Sequence, residues 1–312
     1  MKTHPVTTCF FVFCLSAVTL IAIGCGGSKS LSTMTARELF EHGKQQYDKD
    51  KYLKAIDIFQ ACVYSYPGET IVDTAQYFLA LSYFGNEEFE VAQVEFNRLA
   101  RNYPSSAYFE QAIFMRAVCF YEMTPTHYGL DQTELVTAVR QLNDFIIDFP
   151  ESDAAEDARK YLLAARTRMA HKRFESGIVY KRMGNYDAAG VYFQNVIDNY
   201  TDTKYAAEAT YELACIDFRL KNFENARREF DNFCTVFAEH ELVPKAKEKA
   251  IEAAFKSGEA AFKRGEYELA QAKLESFKKD FPDNDFNEKV DQYLSKIAAA
   301  SDEGRQVENA DS

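Results

Sequence analysis

The 312-residue chain contains no tryptophan, and it is sparing with glycine (13) and proline (7). A protein of many short strands needs those residues at frequent turns, and no stretch shows sustained strand-like alternation, so a β-rich fold is excluded. Its five histidines (His4, His42, His127, His171 and His240) are scattered and form no HExxH or comparable spacing. No metal site is expected from them. There is no P-loop and no GxSxG, and no segment outside the repeats described below could house a catalytic centre. An enzyme is not expected, and neither is a cofactor. Basic residues are also in deficit: 36 Lys and Arg against 48 Asp and Glu give a net charge of −12. Nucleic-acid binding is therefore excluded, because it requires a net basic surface to displace counterions. What is present is 47% hydrophobic and 14% aromatic residues. That is ample for a core and rules out wholesale disorder.

The first 25 residues stand apart. Lys2 supplies a positive start, Phe10 to Ile23 form an apolar run short for a membrane span, and Ala22-Ile23-Gly24-Cys25 closes it before Gly26-Gly27-Ser28-Lys29-Ser30. This resembles the lipobox of bacterial lipoprotein signals, with Ala22 where leucine is usual. The resemblance implies cleavage before Cys25 and lipidation, palmitate included, of that cysteine. Several acyl chains anchor firmly where one binds only marginally. With Cys9 and Cys14 in the signal, Cys62, Cys119, Cys215 and Cys234 remain, with no CxxC among them. Each lies in a helical apolar pattern and reads as a small core residue. An exported compartment permits disulfides, but spacing establishes no pairing.

A repeat organises the rest. An aromatic or Leu is followed by Ala three later, Phe or Leu four further on, and Tyr or Phe seven beyond that. The copies are Tyr52-Ala55-Phe59-Tyr66, Phe89-Ala92-Phe96-Tyr103, Leu135-Ala138-Leu142-Phe149, Tyr186-Ala189-Phe193-Tyr200, Phe223-Ala226-Phe230-Phe237 and Tyr267-Ala270-Leu274-Phe281. Four copies continue with Pro67, Pro104, Pro150 and Pro282, which predicts a helix stop there. The spacing lays all four residues on one helical stripe. Twelve residues before the alanine stands a small residue: Gly43, Ala80, Gly177, Ala214 or Gly258. In the third copy Ala117 is displaced by a nine-residue insertion. An aromatic follows three or four later (Tyr47, Tyr83, Phe120, Tyr180, Phe218, Phe262). A small residue lets two helices approach, and the aromatic fills the space beside them. Gly85-Asn86, Gly184-Asn185 and Arg264-Gly265 are turn signals between the two helices.

This progression resembles the tetratricopeptide repeat. It implies an all-α, helix-pair superhelix, an α-solenoid of about six pairs with a concave face suited to peptides. The repeat alanines at 55, 92, 138, 189, 226 and 270 are spaced more widely than the usual period of about 34 residues. The chain therefore divides into a signal (1–25), a flexible linker (26–36), an N-terminal repeat half (37–150), a C-terminal repeat half (151–299) and a disordered polar tail (300–312).

Lipobox, short linker and irregular repeats together resemble the BamD family of outer-membrane lipoproteins. So do Tyr103-Pro104-Ser105-Ser106-Ala107-Tyr108, Ala112 to Arg116, the Leu130 to Thr133 insertion, and Tyr161 to Arg182 leading into Met183-Gly184-Asn185-Tyr186. The likeness runs to about Phe237; the family usually has about five repeats, and the sixth here, Lys245 to Phe281, exceeds it. The resemblance implies a non-catalytic scaffold on the periplasmic face of the outer membrane. It implies a C-terminal half that binds the β-barrel assembly protein and an N-terminal half that receives unfolded outer-membrane proteins. A periplasmic repeat coordinator of constriction or cell-wall synthesis is the alternative, but Gly26 to Thr35 leaves no room for the coiled coil usual in that class.

Charge points independently to one surface. Lys2 is the only charge in the signal, so the mature chain carries −13. Arg159, Lys160, Arg166, Arg168, Lys172, Arg173, Lys181 and Arg182 face only Glu175 across their segment, which is thus +7 and leaves −20 elsewhere. The segment reads either as a solvated helix face or as a docking strip for an acidic partner domain. In the N-terminal half, Tyr77, Tyr83, Phe84 and Tyr108 are candidates to line a substrate groove, against the alternative that they are inter-repeat core. Thr124 to Gln132, with Pro125 and Gly129, reads as a surface loop.

Overall fold

The computed structural model describes residues 30–310, with side chains to Ala300. The signal, Cys25 and residues 26–29 lie outside the described residues. After a 3₁₀ turn at Leu31–Thr33, thirteen α-helices follow among the described residues: α1 (Ala36–Tyr47), α2 (Tyr52–Ser65), α3 (Val72–Gly85), α4 (Phe89–Asn102), α5 (Phe109–Met123), α6 (Thr133–Asp148), α7 (Ala155–Arg182), α8 (Tyr186–Asn199), α9 (Lys204–Arg219), α10 (Phe223–Val236), α11 (Val243–Lys263), α12 (Tyr267–Asp280) and α13 (Asn287–Ala310). They form the six predicted helix pairs and a final helix. The chain divides into two compact units after Ala112, inside α5. The functional division drawn at residue 150 is a different boundary.

The predicted stripes become the second helices of the pairs, α2, α4, α6, α8, α10 and α12, and all the repeat alanines are fully buried. The small residue on the first helix sits over the third stripe residue of its partner. A Cβ added to Gly43 would come 2.7 Å from the Phe59 ring, one at Gly177 2.6 Å from Phe193, and one at Gly258 2.7 Å from Leu274. The aromatic after it closes the helix–turn–helix corner against the first stripe residue: Tyr47 on Tyr52 (5.7 Å), Phe84 on Phe89 (5.1 Å), Phe218 on Phe223 (5.3 Å) and Phe262 on Tyr267 (5.5 Å). Phe84, not Tyr83, fills this role in the second pair.

Two sequence-level explanations change. Gly85 is not the turn residue: its missing Cβ makes room for the Tyr52 ring, 2.6 Å away. In every pair but the third, which carries the insertion, the turn is made by the residue two before the second helix, left-handed at Asp50 (φ 55°), Glu87 (62°), Gly184 (78°), Lys221 (63°) and Gly265 (79°). Proline, moreover, is not what ends the second helices. Tyr66, Tyr103, Phe149, Tyr200, Phe237 and Phe281 all leave the helix with φ between −115° and −134°. Two of these, Tyr200 and Phe237, precede no proline. A proline at the next position disfavours the helical backbone for the residue before it, but this departure from the helix, with ψ between 42° and 68°, occurs without one. The aromatic donates its N–H back to the residue four earlier, such as Cys62, Val196 or Phe277.

In the first unit the core gathers around Leu39, Phe59, Cys62 and Leu79. In the second it forms successive clusters around Phe193, Phe230 and Leu274. The last of these is closed by α13, whose Val290 and Ile297 are buried and whose Tyr293 donates to Glu259. Burial pushes the Glu259 carboxyl up, but hydrogen bonds from Lys256, Tyr293 and Lys263 outweigh it and hold the group down to about 2. All four cysteines are free; Cys62 and Cys119 are buried, whereas Cys215 and Cys234 are half-exposed at the rim of a cluster and not inside it. Burial raises the Cys119 thiol to about 12 and that of Cys62 to about 11, which makes both poor nucleophiles.

Replacing Gly177 by Ala is expected to lower stability by about 1–3 kcal/mol, because the fully buried Phe193 ring cannot withdraw. Alanine's better helix propensity, worth roughly 1 kcal/mol, acts in the opposite direction. Urea unfolding of Gly177→Ala, with Gly190→Ala as the uncrowded control, measures the balance; equal midpoints would remove the close-contact account.

Candidate interaction surfaces

The N-terminal aromatics occupy three different settings within the first unit. Tyr77 stacks face to face on Tyr108 (4.4 Å, 16°) and also touches Phe78 and Phe96. Burial pushes its hydroxyl up to about 12. Phe84 is taken by the corner contact with Phe89. The Tyr83 hydroxyl accepts from Gln60 Nε2 (2.7 Å). The structure thus joins Tyr77 to Tyr108 and sets Tyr83 and Phe84 in other roles. All four are half-buried.

A buried polar network that leaves no signal in the sequence lies on the same two helices, α3 and α4. Glu95 is 5% exposed, and Gln76, on the adjoining helix, is fully buried. Gln76 Nε2 donates to the Glu95 carboxylate (2.7 Å), and Arg98 Nη1 lies 2.9 Å from the same oxygen. Arg98 also donates to the Tyr64 hydroxyl (2.9 Å). A buried carboxylate is tolerable here because a cation and an amide both attend it.

In the second unit α7 runs unbroken through Gly177 for 28 residues, about 42 Å at 1.5 Å per residue. Its eight basic side chains divide. Four meet acids: Arg159 with Glu156 (3.8 Å), Lys160 with Asp157 (3.0 Å), Arg166 with Asp202 and Lys181 with Glu212. The Arg166 pair is bidentate, both contacts at 2.7 Å, and the same guanidinium donates to Asn199 O (2.8 Å). The other four form no ion pair among the described residues, although the charge of Arg168 acts on Glu122 and that of Lys172 on Asp131. Arg168 lies over the Tyr121 ring (4.6 Å) and donates to the Tyr121 and Thr124 carbonyls. Lys172 donates to Leu130 O (2.8 Å), and Arg173 reaches only the Tyr200 hydroxyl (3.3 Å). Arg182 is exposed at the helix end.

Part of the strip therefore fastens the inserted loop, 124–132, to α7. A ring column adds to this: His127 on Tyr128 (4.9 Å), Tyr128 on His171 (4.8 Å) and His171 on Tyr205 (5.0 Å, 9°). Beside it, two adjoining hollows of about 390 and 270 Å³ share Met169 and Arg173. They follow α7 between α6 and α8. Among the described residues no group of three or more His, Cys, Asp or Glu could hold a metal, and no helix is long and apolar enough to cross a membrane.

The Asp202 carboxyl is held below its ordinary value by the Arg166 hydrogen bonds, against the opposing effect of burial. Its contribution is present above the unfolded-state value near 4 and is lost as pH falls through the lower folded one. Arg166→Ala is expected to cost about 0.5–1 kcal/mol at pH 6. The gap from the parent should narrow as urea unfolding is repeated towards pH 3; a pH-independent gap would mean that the pair contributes through packing alone.

The family described as YfiO, outer membrane lipoprotein, matches residues 32–229, and a tetratricopeptide-repeat family matches 252–284. The outer membrane protein assembly factor BamD of Rickettsia prowazekii is 28% identical over 204 residues, covering 64% of this chain and 81% of that protein. BamD of Caulobacter vibrioides is 23% identical over 224 residues, covering 68% and 73%. Among solved structures, the TPR2AB domain of yeast Sti1 covers 84% of this chain and 98% of that one at 13% identity, with a TM-score of 0.41.

Proposed function

The chain belongs to the YfiO family of outer membrane lipoproteins, and from that we propose that it is a lipid-anchored repeat scaffold of the β-barrel assembly machinery. It binds unfolded outer-membrane proteins and the barrel assembly protein, and promotes insertion of the former into the outer membrane. The observation that carries this reading is the extent of the family match, which takes in the first five helix pairs through Glu229 in α10. The relatives named as BamD assembly factors support it. The protein acts by binding and performs no reaction of its own.

In this reading residues 37–150 face the substrate and residues 151–299 face the assembly protein. Tyr77 and Tyr108, stacked and half-buried, offer an aromatic platform for substrate segments. On the partner side, the α7 cations outside ion pairs, Arg168, Lys172, Arg173 and Arg182, are the members of the strip available to an acidic domain. Arg166 and Lys181 hold the fold together instead. Cys25 carries the lipid and the residues ahead of Leu31 are the tether. The flexible linker expected through residue 36 ends earlier, because Leu31 and Met34 pack on the first core and Ala36 opens α1, and the tail expected from residue 300 is instead helical to Ala310. The anchored protein sits on the periplasmic face of the outer membrane.

Depleting the protein is expected to lower the amount of folded barrel proteins in the outer membrane, read as heat-modifiable bands in gel electrophoresis. A normal barrel content together with a division or cell-wall defect would replace this reading with that of an envelope coordinator. Cys25→Ala is expected to move the protein from the membrane to the soluble fraction; retention in membranes would show that something other than the lipid holds it.

A further inference from the structure

The repeat register allows the two units to be compared position by position. Ala92 and Ala189 are equivalent repeat alanines, 97 residues apart. The same shift places Arg173 at the position of Gln76, Tyr192 at that of Glu95, and Asn195 at that of Arg98. In the first unit this trio closes on itself, the carboxylate of Glu95 serving both neighbours. In the second unit the carboxylate is missing and a cation has replaced the amide. Arg173 lies half-buried with a tyrosine hydroxyl for a partner.

The surroundings reinforce this. Lys172 and Arg173 line the larger hollow, and Arg173 also lines the smaller one. Asp131, the acid at the rim, is held by the Thr133 hydroxyl (2.8 Å) and N–H (3.1 Å). Arg166 is already occupied by Asp202. The hollows thus carry two cations outside any ion pair: Lys172 shares the rim with the Asp131 carboxylate, on which its charge acts, and Arg173 meets only the tyrosine hydroxyl. They also carry unmet acceptors. Gln132, 8% exposed, lines the larger hollow, and its amide nitrogen is spent on Pro125 O (3.0 Å) while its Oε1 is buried without a donor. Asn195 in the smaller hollow has a buried Oδ1 without a donor. Val136, Val139 and Met169 supply apolar lining.

We propose that this channel, floored by α7 between α6 and α8, binds an extended acidic peptide segment of a partner protein. Carboxylates of such a segment neutralise Arg173 and Lys172, and its backbone N–H groups fill the acceptors of Gln132 and Asn195. A small anion would satisfy the cations and leave the acceptors unmet. A folded helix would present free backbone donors only in its first turn, too close together to serve both acceptors along the channel. The proposal builds on the reading of α7 as a partner-facing strip, and it assigns the partner's chemistry and its place.

The test uses the mature lipoprotein in detergent and fluorescence anisotropy. One labelled nonapeptide repeats Glu-Ala-Gly, and its control repeats Lys-Ala-Gly. The acidic peptide should bind at least about tenfold tighter than the basic one. Tyr192→Glu restores an internal carboxylate where the first unit has Glu95, and Arg173→Gln copies Gln76. Each should weaken acidic-peptide binding about tenfold or more, whereas Arg159→Gln should change it less than twofold. Circular dichroism melting establishes that each variant folds; Tyr192 is half-exposed, so Tyr192→Glu decides the matter if Arg173→Gln does not fold. Equal binding of both peptides, undiminished binding by Tyr192→Glu, or displacement of the peptide by millimolar inorganic phosphate would overturn the proposal. Failure of the assembly reading would appear in the depletion experiment and leave peptide binding intact. Failure of the channel would leave the depletion phenotype unchanged.

Discussion

Everything in this fold depends on how closely the two helices of a pair approach. Gly43, Gly177 and Gly258 leave room for Phe59, Phe193 and Leu274, whose carbon atoms stand where a Cβ would be. The ring or isobutyl group then fills the gap so completely that it is sealed from water. Interiors packed to this density tolerate little change in volume. The pairs with Ala80, Ala117 and Ala214 use the next smallest side chain for the same approach, all three fully buried. Once this distance is set, the corner aromatics, the left-handed turn residue and the aromatic helix ends follow at fixed offsets.

Much of this could be read from residue order because the repeat is local. Stripe spacing of three, four and seven reports one helix, and its small-residue partner lies only twelve positions away. Helix starts at Tyr52, Phe89, Tyr186, Phe223 and Tyr267 therefore fall where the stripes begin. The turn residue was misplaced because Gly85 and Glu87 exchange their apparent roles: the glycine serves packing and the glutamate takes the left-handed backbone. Composition favours the opposite assignment. The proline stop was half an explanation, since Tyr200 and Phe237 end their helices without one.

The candidate sites were less legible, for a physical reason. A lysine or arginine on a helix declares its charge in the sequence but not its partner. Arg166 and Asp202 are 36 positions apart, and Lys181 and Glu212 are 31 apart. Both pairs come from neighbouring repeats whose connections vary in length. A net +7 strip thus resolves into structural ion pairs, a loop fastening and a smaller set of cations outside ion pairs. The aromatic candidates show the same limit: Tyr83 and Phe84 are adjacent in sequence but project to different neighbours, one polar and one apolar. The Gln76–Glu95–Arg98 network was legible only after the repeats were placed in register.

The inserted loop has a mechanical meaning. Repeat arrays ordinarily couple only nearest neighbours, so they can unravel from an end one unit at a time. Here the ring column starts in the loop of the third pair, crosses α7 of the fourth through His171, and ends on Tyr205 of the fifth. Arg168 and Lys172 tie the same loop to the same helix. This part of the second unit acts as a splint. Pulling on a bound chain would load three pairs in parallel, and the middle of the array would yield together or not at all.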